Sequence, residues 1–148
     1  MLSKRIQYAI LVVIDLALYG GIGPVQARTI ARRQSIPARF LEHVLNAMKR
    51  AGLIESVRGA QGGYLLVKQP AELSLAQIVE AVEGPIVGRT AARGPAHLHG
   101  PTQVEGLLRV VMERLRQAEN DVLNRITLQE LIDRYQTAHR ADSQMYHI

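Results

Sequence analysis

The chain contains no cysteine among its 148 residues. Without a thiol it cannot form disulfide bonds, thiolate-ligated zinc sites, cysteine-ligated iron–sulfur clusters or a cysteine nucleophile. Other catalytic patterns are scarce as well. There is no Gly-x-Ser-x-Gly motif, and of the five histidines only His139 has an acid at helical ligand spacing, Asp142, without a third ligand. We therefore expect a protein that is not an enzyme.

Long apolar runs are also missing. The longest, residues 9–18, is interrupted by Asp15 and is shorter than the about 20 residues that a membrane-spanning helix needs. No small-residue cleavage pattern follows an apolar stretch near the N-terminus. Apolar residues make up 47% and charged residues 21% of the chain, as in soluble globular domains. We expect one cytoplasmic folding unit with an extension and without a membrane partner.

Acidic residues are few in the first half of the chain. Residues 1–68 hold ten Lys or Arg against three Asp or Glu, a net charge of +7, whereas the remaining eighty residues carry −2. Clustered cations are what a polyanion such as a nucleic acid requires. Charge alone is equally typical of a solvated basic face that has no partner.

Apolar spacing predicts three helices at the start of the chain. The first covers residues 3–19, a short second helix follows Pro24, and a third begins at Pro37 and ends at Gly52. The second helix should bury Ile30 and expose its arginines. The third should bury one apolar set, namely Phe40, Leu41, Val44, Leu45 and Met48.

Two β-prone runs, residues 53–58 and 64–68, come next and should form a hairpin with a glycine-rich tip. A capping-box pattern at Ser74 and Gln77 then opens a fourth short helix. Three helices followed by a hairpin predict a mainly α fold, with a winged helix-turn-helix domain and a two-stranded β wing over residues 1–84.

The second half is predicted to hold three segments. Residues 85–101 contain three Gly and three Pro and should form a sensor-type loop or linker. Residues 102–136 should contain a long helix and a short terminal helix that Thr127 opens with a second capping box. The polar residues 137–148 should form a flexible tail.

The long helix carries an apolar heptad pattern. Its members are spaced 4, 3, 4, 3 and 4 positions apart, at Val104, Leu108, Val111, Leu115, Ala118 and Val122. Such a seam needs a second helix to cover it. We therefore expect these six residues to form an interface between two helices.

The third helix supplies candidate contacts to DNA. In a helix-turn-helix the N-terminal residues of the second helix of the motif reach base edges in the major groove. Here these residues are Ala38, Arg39, Glu42 and His43. Arg39 is suited to O6 and N7 of guanine, and Glu42 to the amino group of cytosine. A solvated helix face without a partner would show the same pattern.

The hairpin tip supplies a second set of candidates. Arg58 precedes a loop with Gly59, Gln61 and Gly62, where a long cation with few bulky neighbours could enter a narrow minor groove. The glycines are also typical of a phosphate-binding loop. Such a loop leads from a strand into a helix, however, and this one leads into a second strand.

Several motifs together resemble one family. They are Arg5-x-x-Tyr8-Ala9, Ile36-Pro37, Gly52-Leu53-Ile54 and, above all, Val57-Arg58-Gly59-x-x-Gly62-Gly63-Tyr64 in the wing. Over about residues 1–133 the chain resembles the IscR/NsrR/CymR group of transcription regulators, also called the Rrf-two family. The resemblance implies a winged helix-turn-helix homodimer, joined through the long dimerisation helix, that binds a near-palindromic operator.

The resemblance also implies that Arg58 and the segment from Arg39 to His43 face DNA. The full set of residues expected to contact double-stranded DNA combines residues of the first two helices with the start of the third helix and the wing tip. It comprises Lys4, Arg5, Tyr8, Arg28, Ala38, Arg39, Glu42, His43, Arg58, Gly59, Gln61 and Gly62.

Many members of this group hold an iron–sulfur cluster through three cysteines in the loop before the dimer helix. Counted from the wing, those positions fall on Ala91, His97 and Gln103, or one residue later on Ala92, Leu98 and Val104. Neither frame offers a thiolate, so we expect no cofactor. His97 and His99 are weak candidates for a metal site.

Two functions stay open on the sequence. The first is a transcription regulator without a cluster, a repressor, whose homodimer binds a palindromic operator and responds to a small-molecule effector or a protein partner. The second, suggested by the CymR branch, is a protein-interaction regulator that binds a metabolic enzyme, with DNA binding secondary. Heparin retention that falls steeply with salt favours the first. A stable complex with an enzyme and no operator affinity favours the second.

Overall fold

The computed structural model describes residues 2–84 and 103–145. Within these ranges it contains six α-helices, two 3₁₀ turns (Gly20–Ile22 and Pro70–Glu72) and one antiparallel two-stranded sheet. The helices are α1 (Lys4–Tyr19), α2 (Ala27–Gln34), α3 (Ala38–Arg50), α4 (Leu75–Glu83), α5 (Gln103–Arg125) and α6 (Leu128–Met145). The strands are β1 (Ile54–Val57) and β2 (Gly63–Leu66). The predicted mainly α winged helix fold is confirmed.

Local signals in the sequence set the ends of the helices. The side chain of Ser3 accepts a hydrogen bond from the backbone N–H of Ile6 and caps α1. The predicted capping box at Ser74 is confirmed, because Ser74 and Gln77 each bond the backbone N–H of the other. Gly52 takes a φ of +77° between α3 and β1, a conformation that glycine adopts without strain.

Two structural predictions were wrong. Phe40 does not lie in the core but is 43% exposed, because it sits at the edge of the buried face of α3. Residues 137–145 do not form a flexible tail but continue α6 to Met145. The helix holds together through side-chain pairs at helical spacing, such as Tyr135 stacked on His139 with ring centroids 5.8 Å apart.

The hydrophobic core is continuous between the two halves of the chain. It is built mainly from α1, α3 and α4, and Leu123, Leu128 and Ile132 from the C-terminal helices belong to the same cluster. A short backbone bridge holds them there: the N–H of Leu128 donates to the carbonyl of Leu73, and the N–H of Leu75 to that of Ile126. The junction of α5 and α6 is therefore fixed to the start of α4.

One segment among the described residues, Lys4–Ile22, is long and apolar enough by composition to cross a membrane. It comprises α1 and the following turn. Ile6, Ala9, Val12, Val13 and Leu16 of this helix are buried in the core. A buried core helix passes the same test of length and hydropathy, so the segment is weak evidence for a membrane span.

A buried carboxylate joins α1 to α2. The side chain of Asp15 has no exposed surface, and it accepts hydrogen bonds from Nε and Nη2 of Arg33 at 2.9 and 2.7 Å and from Nε2 of Gln34 at 2.9 Å. We call these three residues the Asp15 clamp. A buried charge is tolerated when several donors satisfy it, and a bidentate guanidinium is the strongest of them. The clamp fixes the C-terminal end of α2 on α1.

The aromatic ring of Tyr19 completes the surroundings of the clamp. The guanidinium carbon of Arg33 lies 4.0 Å from the centroid of that ring. The hydrogen bond to Asp15 raises the pKa of Arg33, so this partner stays charged at any usable pH. A hydrogen bond between the side chains of Tyr19 and Tyr135 raises the pKa of Tyr19 and links the clamp to α6.

A backbone bridge fixes the wing to the start of α2. Val25, just before α2, donates its N–H to the carbonyl of Tyr64 at 3.0 Å, and Tyr64 donates to the carbonyl of Val25 at 2.8 Å. Gly63 lies at this crossing. A Cβ there would stand 2.5 Å from the carbonyl carbon and oxygen of Val25, closer than side chains come to backbone. Only glycine lets the two segments approach this closely.

Replacing Arg33 by Met should destabilise the fold, because the buried carboxylate of Asp15 loses two of its three donors. Removal of one partner from a fully buried pair costs about 3–5 kcal/mol, and we expect about 2 kcal/mol here because a third of the Arg33 side chain is exposed. Urea unfolding measures this loss. Arg32→Met, an exposed arginine on the same helix, is the control and should change the free energy of unfolding by less than about 0.5 kcal/mol. Equal effects of the two variants would contradict a structural clamp.

Replacing Gly63 by Ala should also destabilise the protein, by about 2 kcal/mol, because the new methyl group collides with the backbone of Val25. Gly20→Ala is the matched control, since a Cβ there meets nothing within 4 Å and its φ is −78°. Thermal unfolding followed by circular dichroism compares the two variants. A Gly63→Ala protein as stable as the Gly20→Ala protein would show that the wing is not held by this crossing.

Candidate nucleic-acid interface

The exposed face of α3 carries one polar stripe. Its members lie 4, 3 and 4 positions apart on the side opposite the buried apolar residues, and they are Arg39, His43, Asn46 and Arg50. Arg50 donates from Nε to the backbone carbonyl of Asn46 at 3.5 Å. Arg39 and His43 were predicted from the sequence. Asn46 and Arg50 were missed, although the same spacing, continued along the helix, would have found them.

Two residues flank this stripe. Glu42 is exposed on one side, and Phe40 lies on the other, next to α1. The ring of Phe40 contacts that of Tyr8 with centroids 5.4 Å apart and planes tilted by 55°. Ala38, the first residue of α3, is also exposed. The structure therefore brings Ala38, Arg39, Glu42 and His43 together at the N-terminal end of one helix, as predicted.

The start of α1 lies beside this end of α3. Tyr8 is partly buried and makes the contact to Phe40, while Lys4 and Arg5 are exposed about one helical turn earlier. The two cations are thus carried by the same end of the molecule as the polar stripe. Their side chains can donate to phosphate oxygens, which is the sequence-independent part of nucleic-acid binding.

The wing and the start of α2 enclose an open cleft. Arg28 of α2 lines it on one side, and Arg58, Gly59 and Gly62 of the wing line it on the other. The N–H of Gly62 donates to the carbonyl of Gly59 at 3.0 Å and closes the tip. A Cβ on Gly62 would stand 2.2 Å from the carbonyl oxygen of Val57, so the tight tip requires glycine there. Arg58 and Gln61 remain exposed at this tip.

Not every cation of the first half is available for a partner. Arg33 is exposed, as predicted, but its guanidinium is held by Asp15 and Tyr19. The sequence marked Asp15 only as an interruption of an apolar run. Because Asp15 lies on the buried face of α1, another element must supply its counterion, and this position in the sequence could have indicated the ion pair.

A second surface is apolar and lies on α5. All six residues of the predicted seam are exposed. Val104, for example, is 73% exposed. Three further apolar residues on the same helix, which the heptad pattern did not predict, are also exposed, namely Leu107, Val110 and Met112. They lie outside the heptad positions and widen the apolar face to more than half of the helix circumference in its N-terminal part. We call the exposed apolar residues of α5 the α5 face.

Comparison with known proteins identifies the fold and the family. A family model described as "Rrf2: Iron-dependent Transcriptional regulator" matches residues 2–134. The HTH-type transcriptional regulator IscR of Pectobacterium atrosepticum is 33% identical over 143 residues, which cover 97% of this chain and 85% of that protein.

Solved structures agree with this match. IscR of T. potens has a TM-score of 0.75 and 30% identity, and the alignment covers 93% of this chain and 90% of that one. CymR, described as the global cysteine regulator of B. subtilis, has a TM-score of 0.72 and 29% identity over 90% of this chain and 96% of that one.

The donor set of this chain does not fit a cysteine-held cluster. There is no cysteine anywhere in the sequence. Among residues 2–84 and 103–145, no group of three His, Asp or Glu side chains could hold a metal ion. The candidates His97 and His99 lie outside the described residues.

The matches extend over nearly the whole chain and agree with the wing, the helix-turn-helix and the long C-terminal helix seen in the structure. The chain belongs to the Rrf2 family of helix-turn-helix transcriptional regulators, which are DNA-binding proteins and not enzymes.

Proposed function

We propose that the protein is a cytoplasmic transcription repressor whose homodimer binds a near-palindromic operator, with α3 in the major groove and Arg58 of the wing in the minor groove. The polar stripe on α3 carries this proposal. Arg39, His43 and Asn46 present hydrogen-bonding groups along one line, on a helix whose other face is fixed in the core. Arginine pairs with guanine and asparagine with adenine at the major-groove edge.

The wing supports the same orientation. The bridge between Val25 and Tyr64 fixes the wing relative to α2, so Arg28 and Arg58 keep a constant position beside the helix-turn-helix. A guanidinium on a loop of glycines can approach the narrow, electronegative minor groove closely. Repression requires no further surface, because a protein that occupies a promoter excludes other proteins from it.

The α5 face supports the homodimer. Val104, Leu107, Leu108, Val110, Val111, Met112, Leu115 and Val122 are each more than half exposed. A contiguous apolar surface of this kind on a DNA-binding protein is typical of a protein interface. Two copies related by a twofold axis cover the same surface on both helices and place two copies of α3 in a relation that matches a palindrome.

The signal that controls binding is proposed to be a small molecule or a partner protein. The family model is named for iron dependence, but this chain lacks the thiolates that hold a cluster. A ligand that binds one arrangement of the dimer better than another changes the spacing of the two copies of α3, which is sufficient to alter operator affinity.

Replacing both Leu108 and Leu115 by Glu should abolish the dimer, because four charges would then lie unpaired in the interface. Light scattering should give the mass of one chain, and operator binding should fall to the nonspecific level. The control is Gln117→Glu/Asn124→Glu, which adds the same charge on the opposite side of α5 and should stay dimeric. A dimeric, DNA-binding Leu108→Glu/Leu115→Glu protein would show that the α5 face is not the interface.

Selection of duplexes from a random DNA library tests the proposed operator and the roles of two arginines. We expect an inverted repeat whose half-sites lie about one helical turn, roughly 34–36 Å, apart or a multiple of it. On this operator Arg39→Ala should cost about 1–3 kcal/mol and lose the preference at one base pair of each half-site.

Arg58→Ala should instead weaken binding to the operator and its single-base variants by one common factor, and lower the salt dependence of binding. Fluorescence anisotropy at several salt concentrations separates the two effects. Arg109→Ala, an exposed arginine on α5, is the control and should bind like the wild type. If Arg39→Ala also lost affinity equally for all variants, Arg39 would not read a base.

A further inference from the structure

Phe40 is the one phenylalanine of the chain and lies in an unusual place. It is the third residue of α3, and 43% of it is exposed although helical periodicity places it next to the core residues. It directly follows Arg39 of the polar stripe and lies about one helical turn before His43. An apolar ring thus borders the surface that is proposed to read DNA.

The core does not require this ring. Leu41, Val44, Leu45 and Met48 fill the buried face of α3, and each is 2% exposed or less. Phe40 packs instead against Tyr8, with ring centroids 5.4 Å apart and planes tilted by 55°. Tilted aromatic pairs of this geometry are favourable and hold both side chains in place. The exposed part of Phe40 is therefore a fixed apolar edge, supported from behind by α1.

We infer that Phe40 determines specificity by contacting the C5-methyl group of a thymine in the operator. This methyl is the apolar group among the polar edges of the major groove, and neither the cytosine nor the uracil base carries it. The charged and amide side chains of the stripe read donors and acceptors, so they cannot distinguish its presence. The inference rests on the proposed function, because it requires α3 to lie in the major groove.

Deoxyuridine substitution tests the inference directly. Each thymine of the selected operator is replaced singly by deoxyuridine, which removes the methyl and leaves the hydrogen-bonding edge unchanged. Wild-type protein should lose about fourfold in affinity at one thymine of each half-site, the value of burying one methyl-sized group. Phe40→Ala should bind the thymine and uracil duplexes equally, and repeated selection with this variant should show no thymine preference there.

Matched variants distinguish a contact of Phe40 with the thymine methyl from its packing within the protein. Phe40→Leu keeps an apolar side chain and should keep the sensitivity to the methyl. Ile22→Ala removes a fully exposed apolar residue away from α3 and should change neither affinity nor sensitivity. If no thymine of the wild-type complex is sensitive, or if Phe40→Ala lowers affinity by one factor while the sensitivity remains, the inference is wrong. Because the deoxyuridine scan with the wild-type protein can contradict the inference by itself, the test does not depend on the correct folding of any variant.

Failure of the inference differs from failure of the proposed function. If α3 lies in the major groove and Phe40 reads no methyl, Arg39→Ala and His43→Ala still lose operator affinity while uracil substitution has no effect. If α3 lies outside the groove, Arg39→Ala, His43→Ala and the uracil duplexes all leave affinity unchanged, and both proposals are wrong.

Discussion

The buried carboxylate of Asp15 is the constraint on which the DNA-binding half of the molecule depends. A charge without any exposed surface is stable only where donors meet it from more than one direction, and Arg33 and Gln34 at the end of α2 provide them. These three hydrogen bonds restrict the angle between α1 and α2. Because α3 follows α2 after the short turn at Ser35 and Ile36, this angle also sets where the polar stripe lies.

The second constraint acts on the wing. Backbone hydrogen bonds between Val25 and Tyr64 hold it to the same helix that the Asp15 clamp holds at its other end. The helix α2 is thus fixed at its start by the wing and at its end by α1. This arrangement keeps Arg58 and α3 in a constant relation, which a protein needs if it is to contact two grooves of one duplex at once.

The C-terminal helices extend this unit without separating from it. The bridge at Leu73 and Leu128 fixes the junction of α5 and α6 to α4, while the contact of Tyr135 with Tyr19 brings α6 to the edge of the Asp15 clamp. From this junction α5 presents its apolar face outwards. A dimer formed through α5 would therefore orient two rigid DNA-binding units, and a change in that interface would move each unit as a whole.

The sequence by itself determined the elements and the family. Apolar periodicity gave the helices, the capping pattern at Ser74 gave the start of α4, and glycines at the wing tip combined with the signature around Arg58 gave the winged helix, because all of these depend on residues close together in the chain. The exposure of Arg39 and His43 follows from the same periodicity. The match of the family model to residues 2–134 agrees with this interpretation.

The tertiary structure determined which side chains have partners within the chain and which lie in the core. Arg33 looks like its neighbour Arg32 in sequence and is likewise exposed, yet Asp15, eighteen residues away, holds its guanidinium in a bidentate ion pair. Phe40 looks like a core residue, yet the space beneath α3 is already filled by four others and the ring turns to Tyr8. Residues 137–145 look like a polar tail, yet they continue α6. For Arg33 and Phe40 the deciding contact joins residues far apart in the sequence, which only the path of the chain through space brings together. For the end of α6 the contacts lie at helical spacing, and a polar composition does not distinguish such a helix from a tail.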